Sequence, residues 1–415
     1  MEKLISFVGL FVMLGIAFLF CKPEHRKHIN LRVVIAGTLM QIIFALLILK
    51  TPVKMVFSWA NDAIGTLLNF TLEGSKFIFG TLVDMEKFGM IFAFGVLPTI
   101  IFFSSLMTVL YYLGVMQAVI NVIAKLMSKT MKTSGAETLS AAANIFVGQT
   151  EAPLVIKPFV EKMTQSELMA VMVGGMATVA GGVMAAYVGM LRGNFPEIAG
   201  HLMAASVMSA PAALVMAKIM VPETEVPETA GAEAKLEVES IDANVIDAAA
   251  RGAGEGLQLA LNVAAMLLAF IALIAMVNFG VKTLGGWVGL PFLSLEVIFG
   301  WLFAPLAFIM GVPWQDAGTI GTLLGQKTIV NEFVAYANLS EIIKPGGVDI
   351  SERSKVIITY ALCGFSNLSS IAIQVGGIGG IAPSRRGDLA RLGIRAVIAG
   401  SLACFMTATI AGMLV

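Results

Sequence analysis

Two carboxylates, Glu151 and Glu332, stand in stretches of this 415-residue chain that are otherwise largely apolar. The first lies in SAAANIFVGQTEAPLVIKPFVEK, between Gly148 and Pro153 and beside Gln149 and Thr150; the second lies in GTIGTLLGQKTIVNEFVAYANL, beside Asn331. An ionised Glu facing lipid costs roughly 2.5 kcal/mol or more even on a lenient insertion scale, so each needs a polar environment of its own. Gln149, Thr150 and Glu151 offer acceptors, an amide donor and a hydroxyl within one irregular loop, a set suited to the edge of a polar heterocycle. Glu332, with the amide and hydroxyls of Asn367, Ser369 and Ser370, suits a polyol such as a sugar with vicinal hydroxyls. The plainer alternatives are a network that closes the first loop on itself and, for the Asn and Ser residues, helix–helix hydrogen bonding. Asn144 and Thr178 are candidate sodium ligands, because backbone opened near Val147 and Val179 would add carbonyls to the oxygens that a hard cation requires.

Catalysis finds no support in the same inventory. His25, His28 and His201 lie at or near predicted membrane boundaries and read as solvated, and the chain has no HExxH or GxSxG motif and no paired aspartates at helix depth. Cys21, Cys363 and Cys404 are scattered without CxxC spacing and read as small packing residues.

The elements that must position these groups belong in a bilayer. Hydrophobic residues make up 58% of the chain and charged ones only 13%, about half the share typical of soluble domains. The mean hydropathy is +0.88. With 27 basic and 27 acidic residues the net charge is zero, so no global field points to nucleic acid. Uncharged or nearly uncharged runs predict eight spans, over 4–21, 33–49, 88–124, 168–191, 198–217, 257–281, 356–383 and 396–415. The first follows Glu2 and Lys3 rather than a basic cluster and lacks a small-residue cleavage site, so it reads as a span and not a secretion signal. Lys22, Arg26, Lys27 and Arg32 place the first loop in the cytoplasm and the N-terminus outside. Lys125, Lys129 and Lys132, and later Arg385, Arg386, Arg391 and Arg395, then also fall inside. A further apolar stretch, 297–315, reads as interfacial or as one limb of a hairpin. Residues 52–87 mix apolar and charged residues and suggest amphipathic helices at the outer surface. Between Glu223 and Asp247 lie eight acidic residues and one Lys, after Pro222 and near Pro227; this reads as a cytoplasmic linker between halves.

Gly148 and Pro153 predict a break around Glu151, leaving limbs of about 22 Å that are too short to cross the hydrocarbon core. A re-entrant hairpin over 133–162 fits, entering and leaving by the cytoplasmic face. The segment around Glu332 predicts a second, and three intervening spans would bring it in from outside. Each is followed by a capped helix start, Thr164 with Glu167 and Ser351 with Ser354. Each start leads into an apolar segment interrupted by GGMATVAGG or CGFSNLSS. The pattern is that of inverted-repeat secondary transporters, whose broken helices meet near the midplane. The organisation expected is 1–132 mostly scaffold, 133–221 a first transport repeat, 222–256 the linker, 257–296 scaffold, and 297–415 a second transport repeat. The fold class expected is an all-α integral membrane protein.

GQTEAP at 148–153, the run Gly325-x-Lys327-x-x-x-Asn331-Glu332-Phe333-Val334-Ala335, and CGFSNLSSIA at 363–372 resemble the concentrative nucleoside transporters, above all bacterial sodium-coupled members. The likeness covers nearly the whole chain, with motifs in family order and spacing. It implies sodium-coupled nucleoside symport at a bacterial inner membrane, by a homotrimer with a scaffold and a moving transport domain in each protomer, and no nucleic-acid partner. It implies nucleobase contacts from Gln149, Thr150, Glu151 and Val183, and ribose contacts from Glu332, Asn367 and Ser370 with Phe365 as apolar neighbour. It implies a sodium site from the side chains of Asn144 and Thr178 and the main chain of Val147, Thr178 and Val179. Thr178 departs from the Ser that bacterial relatives often carry, keeping the hydroxyl and adding a methyl. A proton-coupled carrier, with Glu151 or Glu332 as the proton site, is the alternative; this chain keeps the sodium-type GQTE pattern.

Overall fold

A computed structural model describes residues 2–51, 54–88, 91–231, 242–287 and 289–415, and among these no strand occurs. Apolar helices α1 (Glu2–Leu19) and α2 (Leu31–Lys50) open the chain, joined by a 3₁₀ turn, Pro23–His28. The Asn30 side chain caps α2 by accepting from the Arg32 N–H at 3.0 Å. Where amphipathic helices were expected, one helix dominates, α3 (Lys54–Phe79).

The run expected as a span over 88–124 is two elements. A short turn, Phe92–Gly95, leads into α4 (Leu97–Tyr112), and Gly114 at φ +78° then redirects the chain into α5 (Val115–Met131). Only a residue without a side chain takes that left-handed conformation readily, which is why an apolar run with no charge to mark the division is still divided. α5 buries Met116, Ile120, Ala124, Met127 and Met131, at spacings of three and four, so it is an amphipathic helix that carries Lys125 and Lys129. Those lysines therefore lie on a packed helix rather than in a loop.

α6 (Gly135–Ala143) ends before the irregular GQTEAP stretch, and the chain returns through a 3₁₀ turn, Ala152–Ile156, that packs back on α6. Two half-helices follow, α7 (Gln165–Ala177) and α8 (Gly181–Leu191), and then α9 (Ile198–Met220). α10 (Val245–Trp287) begins inside the stretch expected to be linker. α11 (Leu295–Ile309) meets α12 (Trp314–Ile329) at 118° and packs along it, so the 297–315 stretch is a hairpin limb, the second of its two expected forms. After α12 a two-residue break at Val330 and Asn331 precedes α13 (Glu332–Ile342). The seventh expected span is interrupted as predicted, into α14 (Glu352–Leu362) and α15 (Leu368–Ile381), and α16 (Arg386–Leu414) closes the chain.

Burial separates an inner bundle from an outer layer. The apolar windows of α7 with α8, of α9 and of α16 are 83%, 89% and 83% buried, whereas that of α10 is 11% buried and packs chiefly on α4. Both capping signals hold. Ser134 and Glu137 form a capping box on α6, Thr164 and Glu167 form one on α7, and the Ser351 side chain accepts from the Ser354 N–H. Such caps contribute about 0.5–2 kcal/mol each.

At the base of α6 the two boxes are tied together. Ser134 Oγ donates to Glu167 Oε1 at 2.5 Å, and buried Lys218 of α9 reaches Glu137 at 2.7 Å, Ser166 Oγ at 2.9 Å and Glu223 at 3.3 Å. The first linker residues dock on the same spot, with the N–H groups of Gly135 and Ala136 donating to Thr229 at 3.1 Å each. The two helix breaks also meet. A Cβ on Gly364, in the second break, would come within 2.7 Å of the Met176 carbonyl oxygen in the first, and a Cβ on Gly400 of α16 would press on both Met176 and Ser366. All three cysteines are buried and free.

Candidate functional site

Glu332 opens α13, where Asn331 caps the helix by accepting from the Val334 N–H at 2.9 Å. A carboxylate is favoured at a helix N-terminus, and the break at Val330 is what makes such a terminus available deep in the protein. Glu332 is 5% exposed. Its Oε1 accepts from the Tyr187 hydroxyl at 2.9 Å and its Oε2 from Asn367 Nδ2 at 3.0 Å. Tyr187 belongs to α8 and Asn367 to the second break, so one buried carboxylate joins segments far apart in the chain. Asn367 also caps α15: its Oδ1 accepts from the Ser370 N–H at 2.9 Å and from Ser369 Oγ at 2.6 Å. Ser369 thus serves the cap.

The first loop faces the same break. Gln149 Nε2 donates to Ser370 Oγ at 3.2 Å, and Gln149 Oε1 accepts from Gln374 Nε2 at 3.1 Å. Thr150 packs on α15 so closely that a Cβ on Gly377 would lie 2.7 Å from its methyl. Glu151 differs from Glu332: its residue is exposed, and its carboxylate folds over Gly148, where any side chain would collide with it. Val183 is buried one turn before Tyr187, on the same face of α8. Phe365 is half-buried in the second break, its carbonyl accepting from the Asn367 N–H at 2.9 Å.

The candidate ion ligands gather where the first break touches the first loop. Asn144 and Thr178 are both buried, and the Asn144 amide lies against Gly174, whose Cβ would be 3.2 Å from Nδ2. Asn144 Nδ2 is committed to the Ser140 carbonyl at 3.0 Å, which leaves its Oδ1 buried with no hydrogen-bond partner. A buried acceptor of that kind costs about 1–3 kcal/mol unless something fills it, and a small hard cation is a fitting occupant. Thr178 ends α7 in extended conformation, φ −125° and ψ 172°, with its hydroxyl donating to the Gly174 carbonyl at 2.9 Å, so the hydroxyl lone pairs stay available. Val147 lies in the irregular loop and Val179 directly follows Thr178; Gly181 N–H donates to the Phe146 carbonyl at 3.0 Å and so fastens loop to break.

Three residues of this region carry no assigned role in the sequence reading. Tyr187 has a polar tip in an uncharged helix, and a buried tyrosine hydroxyl normally has a partner, which is the signal that could have found it. It is also stacked on Tyr336, ring centroids 4.3 Å apart at 29°. Gln374 is a lone amide in an apolar helix. Lys327 is fully buried, and its ammonium donates to the Ala361 carbonyl at 2.7 Å, against the C-terminal end of α14 where a cation is favoured. His201, expected to be solvated, instead lies between the Phe195 and Tyr360 rings, its Nδ1 3.3 Å from the Tyr360 hydroxyl. The α9 face that carries it turns inward because small residues let the neighbouring helices approach closely.

A family model described as Na+ dependent nucleoside transporter C-terminus matches residues 201–412, just over half of the chain. The chain belongs to the Na+-dependent nucleoside transporter family. The corresponding N-terminal model matches residues 8–82, and a nucleoside-recognition model described as a gate matches residues 93–193. An uncharacterized transporter of Haemophilus influenzae is 49% identical over 419 residues, covering 100% of this chain and 98% of that protein. Solute carrier family 28 member 3 of Mus musculus is 44% identical over 427 residues, covering 100% of this chain and 59% of that longer protein. A solved structure of CNTnw in an inward-facing substrate-bound state superposes with a TM-score of 0.92 at 48% identity, covering 100% of this chain and 98% of that one. The protein is thus an all-α membrane transporter and not an enzyme, and sodium is its coupling ion.

Proposed function

We propose that this transporter takes up nucleosides across a bacterial inner membrane, with the base held by Gln149, Thr150, Glu151 and Val183 and the ribose by Glu332, Asn367 and Ser370 beside Phe365. The observation that carries this reading is Glu332: a buried carboxylate steadied by one donor from each repeat, with lone pairs left for a pair of sugar hydroxyls. Sodium binds at Asn144 and Thr178 with the carbonyls of Val147, Thr178 and Val179, supported by the orphaned Asn144 Oδ1. Ion and loop share one structure, so sodium orders the first loop before the nucleoside bridges the halves. Sodium then raises nucleoside affinity and nucleoside raises sodium affinity by the same factor. One ion crossing about 100 mV releases about 2.3 kcal/mol, and a tenfold gradient adds about 1.4, enough to concentrate a neutral solute several hundred-fold.

The two hairpins enter from opposite faces, the N-terminus lies outside, and three copies assemble through their scaffolds. Residues 133–221 and 297–415 form the moving part, and 1–132 with 257–296 stay mostly fixed. Uridine uptake by proteoliposomes with sodium inside replaced by choline, and sodium supplied outside, tests the coupling; equal accumulation with choline on both sides would overturn it. Glu332→Gln tests the site: uptake is lost while the protein still inserts and elutes as folded. Near-normal transport by that variant would make Glu332 structural.

A further inference from the structure

Gln374 is completely buried in α15, and none of the roles above uses it. Its Nε2 donates to the Met172 carbonyl of α7 at 3.0 Å and to Gln149 Oε1 at 3.1 Å. A main-chain carbonyl only accepts, so Met172 decides which end of the Gln374 amide faces it. Turning that amide over would set its oxygen against two other oxygens, and Gln374 Oε1 as placed makes no hydrogen bond at all. With the amine end held there, only an acceptor on Gln149 fits against it. The Gln149 oxygen therefore points inward, and its Nε2 points outward to Ser370 Oγ at 3.2 Å. Gly175 makes room for the pair: a Cβ there would come within 2.7 Å of Gln149 Cβ and 2.9 Å of Gln374 Nε2.

We propose that Gln374 is a positioning residue that determines base specificity. Through Met172 it fixes the Gln149 carboxamide with N–H donors toward the solute, so the site favours a nucleoside whose base presents a carbonyl oxygen over one that presents an exocyclic amine. This inference rests on the placement of Gln149 on the base side. Uracil carries an oxygen where cytosine carries an amine, and the 6-oxo and 6-amino purines differ in the same way. A donor facing a carbonyl makes a bond; a donor facing an amine leaves both unpaired. The cost of one neutral mismatch corresponds to a preference of about tenfold.

The test measures KM and Vmax for uridine and cytidine, in proteoliposomes under a sodium gradient, for the parent, Gln149→Leu, Gln374→Leu and Gln374→Glu. The parent favours uridine by about tenfold in KM. Gln374→Leu frees the Gln149 amide to turn, and the ratio falls toward one without a comparable loss of Vmax. Glutamate has at most one proton where glutamine has two; once that proton serves Met172 it offers Gln149 only an acceptor, so Gln374→Glu turns the carboxamide over and favours cytidine. A merely structural Gln374 would lower transport of both solutes alike. A parent that favours cytidine or shows no preference overturns the proposal, whether or not any variant folds. So does a parental ratio kept by Gln374→Leu. If Gln149→Leu leaves the ratio unchanged, it is the placement of Gln149 that has failed; if Gln149→Leu abolishes the preference and Gln374→Leu does not, the fault lies with Gln374 alone.

Discussion

Removing one hydroxyl from Tyr187 separates positioning from binding at the Glu332 site. In Tyr187→Phe the ring keeps its stacking on Tyr336 and its edge contact with Phe333, centroids 5.3 Å apart, so the packing of α8 on α13 survives. What is lost is the 2.9 Å bond to Glu332 Oε1. A hydrogen bond to a charged group contributes about 1.5–3 kcal/mol, equivalent to about 10- to 100-fold in an equilibrium constant. The bond is present before the solute arrives, so the solute feels only the freedom that the carboxylate regains; the lower end applies, about tenfold in uridine KM. Asn367 Nδ2 still holds Oε2 at 3.0 Å, so Vmax is expected to stay within a factor of about three of the parent. The assay is uridine uptake by proteoliposomes over a range of concentrations, with size-exclusion elution in detergent as the control for folding. A uridine KM within twofold of the parent, in a protein that elutes normally, would refute the claim that Tyr187 holds the carboxylate in place.

Other perturbations have outcomes set by the same geometry. Asn144→Ala removes the orphaned buried oxygen, so the sodium concentration for half-maximal uptake rises at least tenfold while thermal stability without sodium stays the same or improves; an unchanged sodium dependence would exclude Asn144 as a ligand. Gly364→Ala drives a methyl toward the Met176 carbonyl at 2.7 Å, an overpacking cost of about 1–3 kcal/mol that appears as a lower melting temperature in detergent. Lys218→Met leaves Glu137 and Glu223 without their shared cation; it is expected to destabilise by about 3–5 kcal/mol, with Lys218→Met/Glu137→Gln recovering much of the loss.

The sequence revealed what the membrane forbids. Charges at Glu151 and Glu332 were visible because lipid penalises them; Glu151 lies in the irregular first loop, and Glu332 directly follows the break at Val330 and Asn331. The capping box at Thr164 was legible for a local reason, since a hydroxyl and a glutamate three residues apart satisfy free N–H groups wherever the chain goes, whereas the same pattern at Ser134 and Glu137 was passed over. Gly114 was not legible, because a glycine within an apolar run is as common in close helix packing as in turns. The unequal burial of the two acids escaped as well, since exposure depends on which neighbour covers the loop. Tyr187, Gln374 and Lys327 act through partners on other elements, at separations of 145, 225 and 34 residues, and no local pattern records such pairings. His201 was misjudged because a polar ring near a span end reads as solvated until an aromatic pair encloses it.

The length of α10 has a consequence of its own. Uncharged from Leu257 to Val281, it carries roughly 37 Å of apolar helix at 1.5 Å per residue, against a hydrocarbon layer of about 30 Å. The surplus is hydrophobic mismatch, which must be met by tilt or by thickening of the surrounding lipid. Because α10 packs chiefly on α4 and little of it is buried, that burden falls first on these two helices. Bilayer thickness therefore acts on this transporter first through α10 and the α4 helix on which it packs, and longer-chain lipids would relieve the mismatch.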